Sequence, residues 1–495
     1  MISTETKKQQ MKPSVNERED KGMMKKRMMA AMLAGAMVLS MTACGNSGSA
    51  GNGGNTGAAA PAAETKADAG TEEKGNAPAA EEPAGPVELV VTTTFAGEDT
   101  NAQNYKDAVK AWEEKTGNSI VDTSASADET FKARVATDFE TGSEPDVLFF
   151  FNGADSNSFI EAGKVVPIDE IREEYPDYAS NMNDDLIPAS LVDGKRYAVP
   201  ANGIWEAMFV NTEILEAAGV AMPGADYTMD QFKADCEKIK AAGYSPIAAA
   251  LGNIPHYWWE FAIFNNQSPE THLEIPENAG DEIGLTWVAG MNDIKELYEL
   301  GYFPENTLSA TDDETFAMFT EGKAAFLLDG SWKVGGIVGA CQSDPNDPAT
   351  LDIDKLDKFD VTYVPGKGDR KATDLIGGLT SGYFITRKAW DDPTKRAAAV
   401  NFVEYMTSDE LVPKFAQHGA SALKNAPEVD PSQFNILQIK AMDMMAGATS
   451  LTGVVQDIFA GDCRVSTFDG MPEIVTGRVA AEDAVAEGLE IYHNQ

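Results

Sequence analysis

The sequence predicts an α/β protein of two lobes, and three observations carry that reading. The chain has 495 residues, more than one hydrophobic core usually serves. Its first folded stretch alternates apolar strands with amphipathic helices. A second run of helices and strands, with a different rhythm, begins near Gly194. Hydrophobic residues make up 43% of the chain and aromatics 8%, enough to fill both cores.

The elements follow in order. KGMMKKRMMAAMLAGAMVLSMTACG sets Lys25, Lys26 and Arg27 before an apolar run from Met28 to Leu39, with small residues ahead of Cys44. That is the layout of a secretory signal, and the run is too short to remain as a spanning helix. Residues 1–43 are read as a signal peptide, with translation expected to start at Met23 or Met24 because the polar residues before them do not fit. Ser40 to Gly45 (SMTACG) resembles a bacterial lipobox, in which the cysteine, here Cys44, is diacylated and becomes the mature N-terminus. Met41 stands where Leu is commoner, and an ordinary secreted protein with an incidental cysteine is the alternative. Two acyl chains suffice for stable attachment.

Residues 44–86 are almost free of large apolar side chains and cannot bury enough surface to fold. They are read as a disordered tether with a reach of about 5–6 Å times the square root of its length. The expected location is the extracellular face of the cell membrane.

The globular body opens with VELVVTTTF, Val87 to Phe95, an apolar strand. NAQNYKDAVKAWEEKTGNSI then places Tyr105, Val109 and Trp112 on one helix face. A second helix, DETFKARVATDFETG, leads into SEPDVLFFFNG. This β-α-β-α-β rhythm indicates an open parallel sheet covered on both faces. Ligands of such sheets bind beyond the carboxyl ends of the strands, where Thr94, Phe95 and Glu98, and Phe150, Phe151, Asn152 and Asp155, are found.

The second lobe starts with GKRYAVPANGIWEAMFVNTEILEAAG, read as two extended pieces meeting around Pro200 to Gly203. The helix of YTMDQFKADCEKIKAAG follows, with Thr228 as N-cap and Phe232, Cys236 and Ile239 as its apolar stripe. GNIPHYWWEFAIF, the helix of GMNDIKELYELGYF and the strand of EGKAAFLLDGSW come next. From Lys358 a strand, a glycine-rich turn and a strand precede a helix, and LTGVVQDIFAGDCRVSTFDG is read as an irregular loop.

Charge and motifs exclude several classes. With 39 Lys+Arg against 79 Asp+Glu the net charge is -40, which argues against a nucleic-acid partner and keeps copies apart, so a monomer is expected. The four histidines are scattered, with no metal spacing, no G-x-S-x-G elbow and no P-loop. Neither a cofactor nor a metal site is expected. Cys236 is expected in a core, and a Cys341–Cys463 disulfide is open to an exported protein.

What remains is aromatic density at strand and loop junctions. Tyr257, Trp258 and Trp259 are consecutive, so at least one should leave the core. With Trp205, Trp332, Phe150 and Phe151 they supply flat apolar faces, while Asn152, Asp155, Glu206 and Asp329 supply acceptors. That mixture suits a pyranose, which has an apolar C–H face and a fringe of hydroxyls. Core packing is the alternative for any one ring and is the expectation for Trp112, Trp287 and Trp390.

WEEKTG, EPDVLFF, GKRYAVPANG, FVNTEILEAAG, YTMDQF, EGKAAFLLDGSW, GGLTSGYFIT and AVNFVEYMTSDE, in that order behind a lipobox, resemble the extracellular solute-binding lipoproteins of ABC transporters related to maltose-binding protein. The resemblance covers Val87 to the C-terminus. It implies a periplasmic-binding-protein-like fold: two α/β lobes, a hinge, and a ligand cleft between them. Lobe 1 is then residues 87–201 and 359–407, and lobe 2 residues 202–358 and 408–495. It implies that Trp332 stacks on a sugar, that Tyr257 and Trp258 form a second stacking element, and that Phe150, Phe151 and Asn152 contact ligand with Phe95, Glu98 and Asp99. Trp205 and Glu206 at the first crossing, Asp329 beside Trp332, and Gly378 and Ser381 in the GGLTSG turn complete the candidate site.

The implied function is a lipid-anchored receptor that delivers a sugar or oligosaccharide to a membrane permease, with no enzymatic step. Two other readings remain: a binder of the same fold for a polyamine or metal chelate, and a secreted glycoside hydrolase using two carboxylates. A cationic ligand would want several carboxylates converging in the cleft, and the landmark positions are aromatic or small.

Overall fold

The structure, a computed structural model, describes residues 85–344, 347–416, 419–425, 432 and 434–494. The signal peptide, Cys44 and the tether up to residue 84 lie outside the described residues. In chain order the elements that position the site are β1 Glu88–Thr92, α1 Ala102–Thr116, β2 Ser119–Asp122, α2 Glu129–Thr141 and β3 Val147–Phe151. There follow β4 Ile204–Asn211, α3 Met229–Ala241, β5 Ser245–Ala248, α4 His256–Phe264, α5 Glu282–Glu299, α6 Asp312–Thr320, β6 Ala324–Gly330 and α7 Lys333–Ala340. Last come β7 Phe359–Thr362, β8 Asp374–Gly378, β9 Ser381–Ile385, α8 Pro393–Met406, β10 Ser450–Thr452 and α9 Ala481–His493.

Two sheets organise these elements. The first has the order β2-β1-β3-β9, with β1 parallel to β2 and β3 as expected, and β9 antiparallel to β3. Helix α1 turns Tyr105, Ala108 and Trp112 onto it. Helix α2 begins at Asp128, whose carboxylate accepts the Phe131 N–H at 2.7 Å, satisfying a donor that the first turn leaves free. The second sheet runs β10-β8-β4-β6-β5, with β7 also paired to β4. Every residue of β4 after Ile204 is buried, as a central strand covered on both faces requires. Trp112, Trp287 and Trp390 are all in cores, and Cys236 packs with Phe232 and Ile239 under α3.

The sequence reading needs correction at four places. Residues 359–378, expected in lobe 1, form β7 and β8 of the second sheet, because Val361 and Leu375 pack into its core. The chain returns to the first sheet only at β9. Leu411, Val412, Phe415 and Leu423, expected in lobe 2, close the first core instead. The segment read as an irregular loop holds β10, a 3-10 turn at Val455–Asp457 and helical turns from Asp462 to Asp469. Residues 194–203 contribute no extended strand, only a bridge from Val199 to Tyr383.

Cys341 and Cys463 are both free and buried. They belong to different apolar clusters of the second lobe, so the disulfide that an exported chain could form is absent.

Candidate functional site

The chain crosses between the lobes where strand ends meet. β4 begins at the first crossing, and its antiparallel partners end beside it: Glu206 lies opposite Gly330 of β6, and Ile204 opposite Gly378 of β8. Gly377 and Gly378, at φ 158° and 142°, take backbone angles that other residues rarely adopt. They carry the chain from β8 to β9 and the first lobe. Asn152, at the end of β3, braces this crossing: its N–H donates to Thr380 O at 2.9 Å and its Nδ2 to Leu379 O at 3.1 Å. Asn152 itself stays half-buried at this crossing. Ser381, half-buried, pairs with Phe151 across β3 and β9.

Alternation along β4 decides its side chains. Trp205, Ala207 and Phe209 face one core, while Met208 and Val210 face the other. Glu206 therefore shares the second face. Trp205 is 1% exposed with its ring 5.9 Å from Phe209, and it is a core residue, contrary to expectation. Phe95 and Phe150 are corrected likewise. Phe95 packs between Phe149 and Phe415, and Phe150 against Phe131 and Phe159.

YWWE lies on helix α4, where successive side chains turn by about 100°. Trp258 and Trp259 enter the core, so Trp258 is no stacking surface. Tyr257 is left half-buried, facing Trp332 with ring centroids 5.6 Å apart and planes at 44°. Trp332, also half-buried, folds back over the end of β6. A methyl group at Gly330 would overlap its six-membered ring, so the glycine serves contact with the indole rather than turn flexibility. Asp329 is buried, accepts the Gly330 N–H at 2.8 Å and stands 4.0 Å from Lys333. Lys333 in turn binds Asp312 at 2.6 Å.

Further residues, not legible in sequence, complete the rim. Glu260, one turn along from Tyr257, accepts the Val455 and Gln456 N–H groups at 3.0 and 2.8 Å. It thereby fixes the 3-10 turn that carries Asp457. Opposite, Lys132 pairs with Asp155 at 2.8 Å and sits 4.7 Å over the Phe151 ring. Polar contacts among the described residues join the lobes. Thr100 Oγ1 donates to Trp332 O at 2.9 Å and accepts the Gly335 N–H at 2.8 Å. Arg464 of the second lobe meets Glu129 of the first at 2.5 Å. Glu98 is exposed, and its carboxylate lies near Gly336.

The electrostatics are one-sided. Burial, then Glu260, Asp329 and Asp457, push the Glu206 carboxyl well above the usual range. Burial, then Asp155 and Glu260, do the same to Asp457 against the pull of Lys132. Burial holds Asp329 at about 7 despite Lys333, and Asp99 at about 7 despite its hydrogen bond from the Asn101 N–H. Carboxylates thus converge here, although the landmark positions gave no such sign. Among the described residues no three His, Cys, Asp or Glu side chains come together as a metal site. A surface depression of about 480 Å³ lies between the 225–230 turn and the 366–372 loop, away from the crossings.

A family model for bacterial extracellular solute-binding proteins matches residues 96–412. A curated binding protein of Brucella abortus is 29% identical over 110 residues, 22% of this chain and 26% of the relative; the match therefore spans about a quarter of the curated relatives' length. Solved structures resemble almost the whole folded body. A chitin oligosaccharide binding protein superposes with TM-score 0.68 at 20% identity, covering 83% of this chain and 98% of its own. The maltose/maltodextrin-binding domain from Bdellovibrio bacteriovorus bound to maltotriose gives 0.61 at 18%, covering 82% and 99%. The acarbose-binding GacH receptor of Streptomyces glaucescens gives 0.64 at 16%, covering 83% and 98%.

Proposed function

The chain belongs to the bacterial extracellular solute-binding protein family, a family of binding proteins and not of enzymes, and from that premise we propose that it is the sugar- or oligosaccharide-binding receptor of an ABC importer. The observation that carries the reading is the Tyr257–Trp332 ring pair beside the buried Glu206 carboxylate, which accepts no hydrogen bond among the described residues. Flat rings take the C–H face of a pyranose, and a carboxylate takes its hydroxyls. Structural neighbours that bind chitin oligosaccharides and maltotriose support the same class of ligand. A ligand touching both lobes stabilises the lobe–lobe contacts of Thr100 and Arg464 by its differential affinity for the closed form. Diacylation at Cys44 and the 44–86 tether would then hold the receptor near its permease at high effective concentration.

A thermal-shift screen against mono- and oligosaccharides tests this, because a ligand that binds only the folded state raises the melting temperature. Trp332→Ala should abolish the shift while the unliganded protein keeps its fold, since the ring is only half-buried. Undiminished binding by the variant, or outright unfolding, would refute the stacking role.

A further inference from the structure

Both Oε atoms of Glu206 are buried and accept no hydrogen bond among the described residues. Its acidic neighbours offer no relief. Glu260 is engaged by the Val455 and Gln456 N–H groups, and Asp457 makes no side-chain hydrogen bond or ion pair among the described residues. The nearby cations are committed elsewhere: Lys333 to Asp312 at 2.6 Å, Lys132 to Asp155 at 2.8 Å and Arg464 to Glu129 at 2.5 Å.

An isolated carboxylate in such a place is costly unless a partner supplies positive charge or it takes up a proton. A metal ion is a poor partner, because among the described residues no three His, Cys, Asp or Glu side chains come together at ligand distance. An ammonium group fits better. It brings three donors to the two oxygens of Glu206 and to Asp457, and the adjacent Tyr257 and Trp332 faces attract both cations and C–H groups.

We propose that the ligand of this cleft is an amine-bearing saccharide, with its ammonium group held by Glu206 and Asp457 and its ring against Trp332. This inference rests on the carbohydrate reading above and narrows it. It has a balanced consequence for protons. Burial and the neighbouring carboxylates raise the Glu206 carboxyl well above its ordinary range in the unliganded protein. An ammonium group between Glu206 and Asp457 favours the ionised form of each, so whatever proton these carboxyls hold leaves for the buffer on binding.

The test is calorimetric titration of the full chain with matched saccharides that differ in one group: amine, acetamide or hydroxyl at the same carbon. Glucosamine, N-acetylglucosamine and glucose, the galactose series, and their β-linked dimers would be compared at about pH 6.5, where the amine is charged and an unperturbed carboxylate is ionised. Two buffers of different ionisation enthalpy report the released proton. The amine member of at least one set should bind about tenfold or more tighter than its two counterparts, as a hydrogen bond to a charged group implies, with release of a proton. Glu206→Gln should remove the preference and lessen the proton release, and Asp457→Asn should reduce the preference, with folding of each checked by circular dichroism. Equal or tighter binding of neutral members in every set, or a preference that survives Glu206→Gln, overturns this inference and leaves the carbohydrate reading intact. Failure of every saccharide to bind overturns both.

Discussion

Adding one methyl group at Gly153 should hold the two lobes apart. Gly153 follows β3 on the first lobe, and its carbon faces the turn of Asp457 on the second. A Cβ there would lie 2.8 Å from Asp457 Cβ, 3.0 Å from its carbonyl carbon and closer still to the carbonyl oxygen. Ordinary carbon contacts begin near 3.5 Å, so the lobes must part by about 1 Å. The Asp457 turn cannot yield alone, because Glu260 grips it through the Val455 and Gln456 N–H groups. The backbone at Gly153 has a negative φ of -87° with ψ -147°, so no left-handed turn is lost and the steric overlap with the Asp457 turn opposes closure. Overpacking of this kind costs about 1–3 kcal/mol, which lowers affinity for a ligand that needs both lobes by roughly 5- to 150-fold. Titration calorimetry of Gly153→Ala with the saccharide found in the screen gives the affinity, and small-angle X-ray scattering gives the lobe separation. Unchanged affinity, or a lowered melting temperature in the unliganded variant, would show that this lobe–lobe contact does not govern closure.

Three further outcomes follow from the same structure. Glu206→Gln should stabilise the unliganded protein at neutral pH. The wild-type folded state keeps the Glu206 proton above pH 4.5 while the unfolded chain releases it, so wild-type stability falls with rising pH and the advantage of the variant grows; denaturant unfolding at acidic and neutral pH would expose a difference that failed to widen. Arg464→Met removes the guanidinium partner of the exposed Glu129, and ligand affinity should drop by only a few-fold, in line with ~1 kcal/mol or less for such a pair; added salt should weaken wild-type binding but not that of the variant. Asp281→Ala deletes the N-cap of α5, whose carboxylate accepts the Gly284, Glu277 and Asn278 N–H groups. Thermal denaturation should show a loss of ~1 kcal/mol with ligand affinity unchanged. Those hydrogen bonds hold the Asp281 carboxyl below its ordinary range, so the difference should vanish as acid protonates it.

Local pattern made some of the site readable. The apolar run AAFLLDG fixed both the strand β6 and the place of Trp332 at its mouth. Three consecutive aromatics guaranteed that one would leave the core, and on helix α4 that one is Tyr257. The misplaced rings failed for a common reason. Strand register turns Phe150 and Trp205 inward and helix phase turns Trp258 inward, while Phe95 packs inward from the loop after β1. No neighbour in the chain records that phase.

By itself the sequence determined the α/β elements, the parallel first sheet and the density of aromatic side chains, because these depend on periodicity and on residues within a few positions of one another. Only the tertiary structure decided what surrounds Glu206. Asp457 is 251 positions away along the chain, and it reaches the rim because Glu260 of α4 clamps its turn. Asp329 stands opposite Ala207 in the antiparallel register of β4 with β6, and its charge still reaches Glu206 across the strand. A carboxylate becomes costly, and so informative about its ligand, only when burial removes water and folding brings like charges from distant segments around it.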